Sequence, residues 1–217
     1  MALPAFPFTQ EQFLNVFAHY NNTVFPLQIV FVILGIVAVG LAIKKSEFSD
    51  KAILLILSFF WFWTGIVYHI LFFSSINPLA YAFGVLCIVE AGLLLYFGVI
   101  KKQVEFGLTQ NIYTSIGLLL IAYALIIYPL IGTYLGHGYP RLPTFGLPCP
   151  TTIFTFGIFL MADKKFPLLL LVIPLIWSII GFFAALSLGI TEDYLLPVAG
   201  VAGTVLIIMK NRKTTVL

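Results

Sequence analysis

Charged residues are scarce in this sequence: 9% of the 217 residues are Asp, Glu, Lys or Arg, against 61% that are hydrophobic. Soluble domains carry about a quarter charged residues, so water is excluded as the solvent for most of this surface. The net charge of +3 is small and the basic residues fall in separate groups, which leaves no basic stripe for a nucleic acid. Cysteine is nearly missing too. Cys87, inside an apolar run, and Cys149, after a proline-rich loop, make neither a disulfide framework nor a paired-cysteine metal motif. His-x-x-x-His, His-Glu-x-x-His and Cys-x-x-Cys spacings are all missing. Ahead of residue 27 there is no basic stretch, and Pro4, Pro7, Gln10, Glu11 and Gln12 interrupt it, so no cleavable signal peptide is read and the amino terminus is expected to be kept. Internal repeats, low-complexity tracts and a soluble domain are not evident.

What the chain has in quantity is apolar runs of helix length. A hydrocarbon core of about 30 Å takes roughly 20 residues of helix, which satisfies its own backbone groups. Such runs fall at 27–43, 52–73, 79–100, 112–135, 150–162, 166–188 and 194–209. The fifth is short: its helix would rise only about 20 Å. It is expected to extend or to be re-entrant, with the backbone from Pro143 to Pro148 set against protein or a wet cavity and not against lipid.

Basic residues gather on cytoplasmic loops. Lys44, Lys45 and Lys51 follow the first run, Lys101 and Lys102 the third, Lys164 and Lys165 the fifth, and Lys210, Arg212 and Lys213 the seventh. Of the 11 basic residues only Arg141 is left for the other face. These features predict an all-α integral membrane protein of the cell membrane. It has an outer-face interfacial segment over 1–26, one bundle of about seven transmembrane helices over 27–209 with a short fifth helix, and a basic cytoplasmic tail over 210–217. The amino terminus is outside, and an odd number of spans does not divide into inverted repeats. Thr9 and Gln12 stand at capping-box spacing before Phe13, Leu14, Val16 and Phe17, which predicts a short amphipathic helix along the outer interface. The bilayer is the first partner.

Glu90 falls near the middle of the third run, roughly 16 Å deep at the helical rise. An intramembrane acid is a functional candidate by default, facing the bundle interior and a polar partner. Thr64, Tyr123 and Ser178 are level with it by the same arithmetic. The group reads either as a proton or cation site or as a protonated carboxyl that fixes helix packing. His19, His69 and His137 all map to the outer half, as weak candidates for a shared metal site. The outer connection 136–152 carries four prolines, three glycines, His137, Arg141 and Cys149. Pro150 suits a first helical turn, which would place Cys149 near the N-cap and Thr151 and Thr152 among free amide donors. That end could hold an anion or a reactive thiol, or could simply be capped by its own side chains. Trp61, Phe62, Trp63, Tyr68 and Trp177 read as core packing. Asn77-Pro78 reads as a turn before a helix, and Glu192 and Asp193 as acids suited to a helix start.

The stretches FTQEQF, YNNTVFP, WTGIVYHILFFSSINP, IYPLIGTYLGHGYP, PTFGLPCPTTIFTFGIFL and IPLIWSIIGFFAALSLGI resemble a family of bacterial multi-pass membrane proteins known as a domain of unknown function, DUF6064. The resemblance covers nearly the whole chain, implies a bacterial-type inner membrane, and draws attention to His69, His137, Cys149 and Pro150. It implies no activity, cofactor or catalytic residue. Function therefore rests on the residues. They point first to a bundle that binds or transports a small solute, ion or proton, with Glu90 as its centre and the outer loop with Arg141 as its mouth. One alternative is a non-catalytic accessory or sensory subunit acting with a membrane partner or a second copy. Another is an intramembrane enzyme with an outer-face site of His69, His137 and Cys149 holding metal, haem or quinone. Zinc hydrolases of the ceramidase type offer a comparison, but their paired histidines on the last span are missing here. No cofactor is predicted.

Overall fold

The structure, a computed structural model, describes residues 7–214. Among the described residues the chain is all-α, with eight helices: α1 (Gln10–Val24), α2 (Leu27–Ile43), α3 (Ser49–Ser75), α4 (Ala80–Ile100), α5 (Ile112–Tyr134), α6 (Pro148–Leu160), α7 (Leu168–Leu188) and α8 (Thr191–Lys213). Five of them, α3, α4, α5, α7 and α8, are long and apolar enough to cross a membrane. Helices α1 and α2 would pass as one, but the chain bends by 86° between them.

Local chemistry explains where the helices begin and end. Thr9 Oγ1 accepts the Gln12 amide at 3.2 Å and the Gln12 side chain accepts the Thr9 amide at 2.8 Å, which is the capping box read from the sequence. Asn77 Oδ1 accepts the Leu79 amide at 3.1 Å and starts α4 just after Pro78, as expected. Asn111 caps α5 by accepting from Thr114 at 3.0 Å. Gly189 ends α7 in a left-handed conformation, φ +69°, that glycine adopts without a Cβ clash. A wide π turn in α5, Tyr123–Ile127, lies just ahead of Pro129, whose missing N–H interrupts the regular ladder.

All seven apolar runs are helical, with shifts at their ends. The second reaches from Ser49 to Ser75, and the seventh starts earlier, at Thr191. It also continues through Lys210 to Lys213, so the first part of the expected tail is helix and not a separate segment. Residues 1–6 and 215–217, which complete the expected terminal segments, lie outside the described residues.

The lysine-bearing connections meet at one end of the bundle. Lys164 Nζ contacts Glu105 at 2.6 Å, and Lys45 lies 3.6 Å from Glu105 and 3.7 Å from Asp50. The hydrogen bond from Lys164 holds the Glu105 carboxyl below its usual value. The Phe106 amide donates to Asp50 at 2.7 Å, the Asp163 amide to the Glu105 carbonyl at 2.8 Å, and Lys210 to the Leu160 carbonyl at 3.2 Å. Arg141 lies at the opposite end, with α1, and donates to Asn15 at 2.9 Å.

Helix α6 is the middle of the fold. Every residue from Pro150 to Leu160 is buried, and α3, α5, α7 and α8 all pack on it. It finishes at the lysine-rich end, where Ala162 pairs with Phe106. The helix of the fifth segment starts two residues early, at Pro148, and runs to the lysine-rich end, while the loop before it comes from the opposite end. Contact with α5 is backbone to backbone, since a Cβ on Gly117 would fall 2.6 Å from the Gly157 carbonyl and one on Gly157 2.8 Å from the Gly117 carbonyl. Overpacking a tight contact costs about 1–3 kcal/mol. Gly117→Val and Gly157→Val should each lower thermal stability of the purified protein by that much or more. Gly92→Ala, with nothing within 4 Å of its added Cβ, should not lower it and should raise it by up to about 1 kcal/mol.

Candidate functional site

At the end opposite the lysines, a cavity of about 200 Å³ lies beneath α1. Phe8, Phe13 and Phe17 form its roof, Tyr68, Phe73 and Phe83 one wall, and Trp177, Ile180, Gly181 and Ala184 of α7 another. The loop residues Pro143 and Leu147 and the first residues of α6, Pro148, Cys149 and Pro150, close it below, where Asp193 at the start of α8 also reaches it. Roof and wall are joined by ring contacts, with Phe8 edge-on to Phe73 at 5.5 Å and Phe17 stacked on Tyr68 at 5.9 Å. Behind the wall sits His69, fully buried, its ring edge-on to Trp177 at 4.9 Å and both nitrogens without a hydrogen-bond partner.

The floor is polar because two acids enter the bundle side by side. Tyr128 donates to Asp193 Oδ1 at 2.5 Å, and the Cys149 thiol hydrogen-bonds the same carboxyl. The Trp177 indole edge lies beside that thiol but makes no well-aligned hydrogen bond. Glu192, 0% exposed, meets His137 Nδ1 at 2.9 Å through Oε1, while its Oε2 has no partner. Its backbone carbonyl accepts from Tyr123 at 2.8 Å, and the carboxyl lies over Gly132, where any side chain would collide with Leu142 and crowd it.

The loop that carries Cys149 into place is pinned by one side chain. Asn21 of α1 donates through Nδ2 to the Pro140 and Leu142 carbonyls, both at 2.7 Å, and accepts from Thr144 at 2.8 Å. Gln28 of α2 donates to the Asn21 carbonyl at 2.8 Å. Deeper in, Thr64 donates to the Gly146 carbonyl at 3.2 Å, and Gly146 itself, φ +101°, presses against the Phe31 ring, where no side chain fits.

Residues 10–216 match a family of unknown function, DUF6064. The chain belongs to the DUF6064 family. No curated protein and no solved structure matches it. In this DUF6064 protein the site must therefore be judged from its own residues.

The structure redistributes the residues singled out from the sequence. Glu90 is buried, but both its carboxyl oxygens lack partners and it does not line the cavity. Its expected companions are engaged elsewhere: Thr64 with Gly146, Tyr123 with Glu192, and Ser178 with the Leu175 carbonyl at 2.8 Å, packed into the notch left by Gly200. None of the three hydrogen-bonds Glu90. The histidines do not gather either. His19 is exposed beside Phe72, His69 is caged by aromatics, and His137 pairs with Glu192; among the described residues no three His, Cys, Asp or Glu stand close enough to hold a metal ion. Helix α6 starts at Pro148, with Leu147 as its cap residue, so Cys149 lies within the first turn and not at the N-cap. Thr152 bonds back to the Pro148 carbonyl at 2.8 Å, Thr151 Oγ1 has no partner, and Asp193 stands beside the helix start where an anion was expected. Trp61 is core, donating to Thr155 at 3.1 Å, whereas Phe62 faces outward and Trp177 lines the cavity.

Sequence reasoning passed over the residues that organise this DUF6064 site: Asn21, Tyr128, Glu192 and Asp193. The available signal was a pair of adjacent acids on a face with one basic residue. Asn21→Leu removes two donors from buried carbonyls, each worth about 1–2 kcal/mol. It should lower stability by about 2–4 kcal/mol and speed amide exchange in the loop 139–147 ahead of α6. Asn15→Ala, which removes only the exposed contact to Arg141, should do neither.

Proposed function

We propose that this chain is a multi-pass protein of the cell membrane, its lysine-rich end cytoplasmic, which binds a small, largely apolar solute in the cavity beneath α1. Insertion is supported by the outward faces of the helices. On α2 these are Ile29, Val30, Ile33, Ile36 and Val37, and similar apolar residues run along α4, α5, α7 and α8. Soluble proteins rarely expose continuous apolar surface on that scale. Orientation is supported by the crowding of Lys and Arg at one end.

The cavity carries the solute reading. Its walls are aromatic and aliphatic, and its floor presents a hydrogen-bonded acid and a thiol, the usual make-up of a small-molecule site. A cavity of about 150 Å³ accepts benzene. The 200 Å³ here therefore suits one ring or a short branched chain bearing one polar group. Glu90 lies outside this cavity, so the binding reading moves from the middle of α4 to the junction of α1, α7 and the loop.

A ligand that binds only the folded state stabilises it by RT ln(1 + [L]/Kd), about 2.7 kcal/mol at a hundredfold excess over Kd. Benzyl alcohol should raise the melting temperature of the protein in lipid nanodiscs in a saturable manner. Ala184→Phe, which fills the α7 wall, should abolish that rise while leaving the fold intact. An undiminished rise in Ala184→Phe would place the probe elsewhere and sink the reading.

A further inference from the structure

We infer that the solute is an organic cation, a protonated amine on a body of about one ring. This deepens the cavity reading and rests on it. Asp193 is the acid on the cavity surface, and among the described residues no Lys, Arg or His forms an ion pair with it. Of the bases at this end, His137 is taken by Glu192 at 2.9 Å, and His69, caged by Phe73, Phe83 and Trp177, hydrogen-bonds no other group. Tyr128 donates to Asp193 Oδ1 at 2.5 Å and so holds that carboxyl in place on the cavity floor, its acceptor capacity in use on one oxygen. An ionised carboxylate in such surroundings is costly unless a cation accompanies it. The protein supplies none, and a bound ammonium would.

The walls fit the same cargo. A cation is attracted to the faces of Trp, Tyr and Phe, and aromatic cages are the recurrent way of holding alkylammonium groups. Here Tyr68, Phe73, Phe83 and Trp177 stand around a space whose floor is Asp193. A neutral alcohol of equal shape would keep the apolar contacts and lose both the charge pairing and the cation–π attraction. An anion would face Asp193 directly.

The test compares benzylamine, benzyl alcohol and benzoate by thermal shift and calorimetry on the full-length protein in nanodiscs, at neutral pH where the amine is charged. Benzylamine should bind at least tenfold more tightly than benzyl alcohol, and benzoate should not bind. Asp193→Asn retains an acceptor for Tyr128 and should reduce benzylamine to the affinity of the alcohol. Equal binding of amine and alcohol to the unaltered protein would overturn the cation assignment and leave the cavity reading standing. No binding of either by folded protein would overturn both. Should Asp193→Asn fail to fold, the amine-to-alcohol ratio of the unaltered protein decides alone.

Discussion

Everything at the functional end follows from one constraint: α6 has only 13 residues and is enclosed by protein on all sides. A helix of that length rises about 20 Å, less than a hydrocarbon core. In the membrane placement proposed above, the chain travels the remaining distance as a loop, and irregular backbone is tolerated at depth only where protein satisfies its polar groups. Asn21 and Thr64 do this work for the loop carbonyls of Pro140, Leu142 and Gly146. The same dip brings Cys149 down to Asp193 and leaves room under α1. The short central helix thus sets where the cavity lies, and the 86° bend between α1 and α2 gives it a roof.

Three buried carboxyls show how differently a low-dielectric interior treats one chemical group. Glu90 has no hydrogen-bond partner for either oxygen, whereas Glu192 has His137 and Asp193 has Tyr128 and Cys149. Asp193 differs in touching both a donor network and a cavity. That distinction, more than depth, is why the proposed site centres on Asp193 and not on Glu90. The π turn over Tyr123–Ile127 contributes directly, since it sets the phase of Tyr123 and Tyr128 toward the start of α8.

Local features were legible in the sequence. Hydropathy located all seven apolar helices, Thr9 and Gln12 marked the start of α1, Asn77-Pro78 marked the turn before α4, and the spacing of lysines anticipated a shared end. The reading failed where partners lie far apart in the chain. Asn21 meets Pro140 across 119 residues, and Glu192 meets His137 across 55. Depth arithmetic put Thr64, Tyr123 and Ser178 beside Glu90 because it assigns height and ignores azimuth, tilt and the half-turn added by π segments. Adjacent acids at 192 and 193 were read as helix-start chemistry because that is the local explanation. Their joint burial follows only from where α5 and α6 stand.

The small residues of α7 argue that the cavity is specified and not left over. Burying one more CH₂ yields about 0.8 kcal/mol, so an apolar helix face opposite aromatic neighbours gains by carrying Leu or Phe. Elsewhere the bundle takes that gain, or closes so tightly that glycine is forced, as at Gly65 against the Gly84 carbonyl at 2.7 Å. Gly181 is a milder case, since a Cβ there would fall 2.6 Å from the end of the Leu196 side chain, which can move. Ala184 and Ala185 line the cavity and carry no such restriction in their backbone. An alanine-lined wall is what the proposed ring-bearing cation requires beside Asp193.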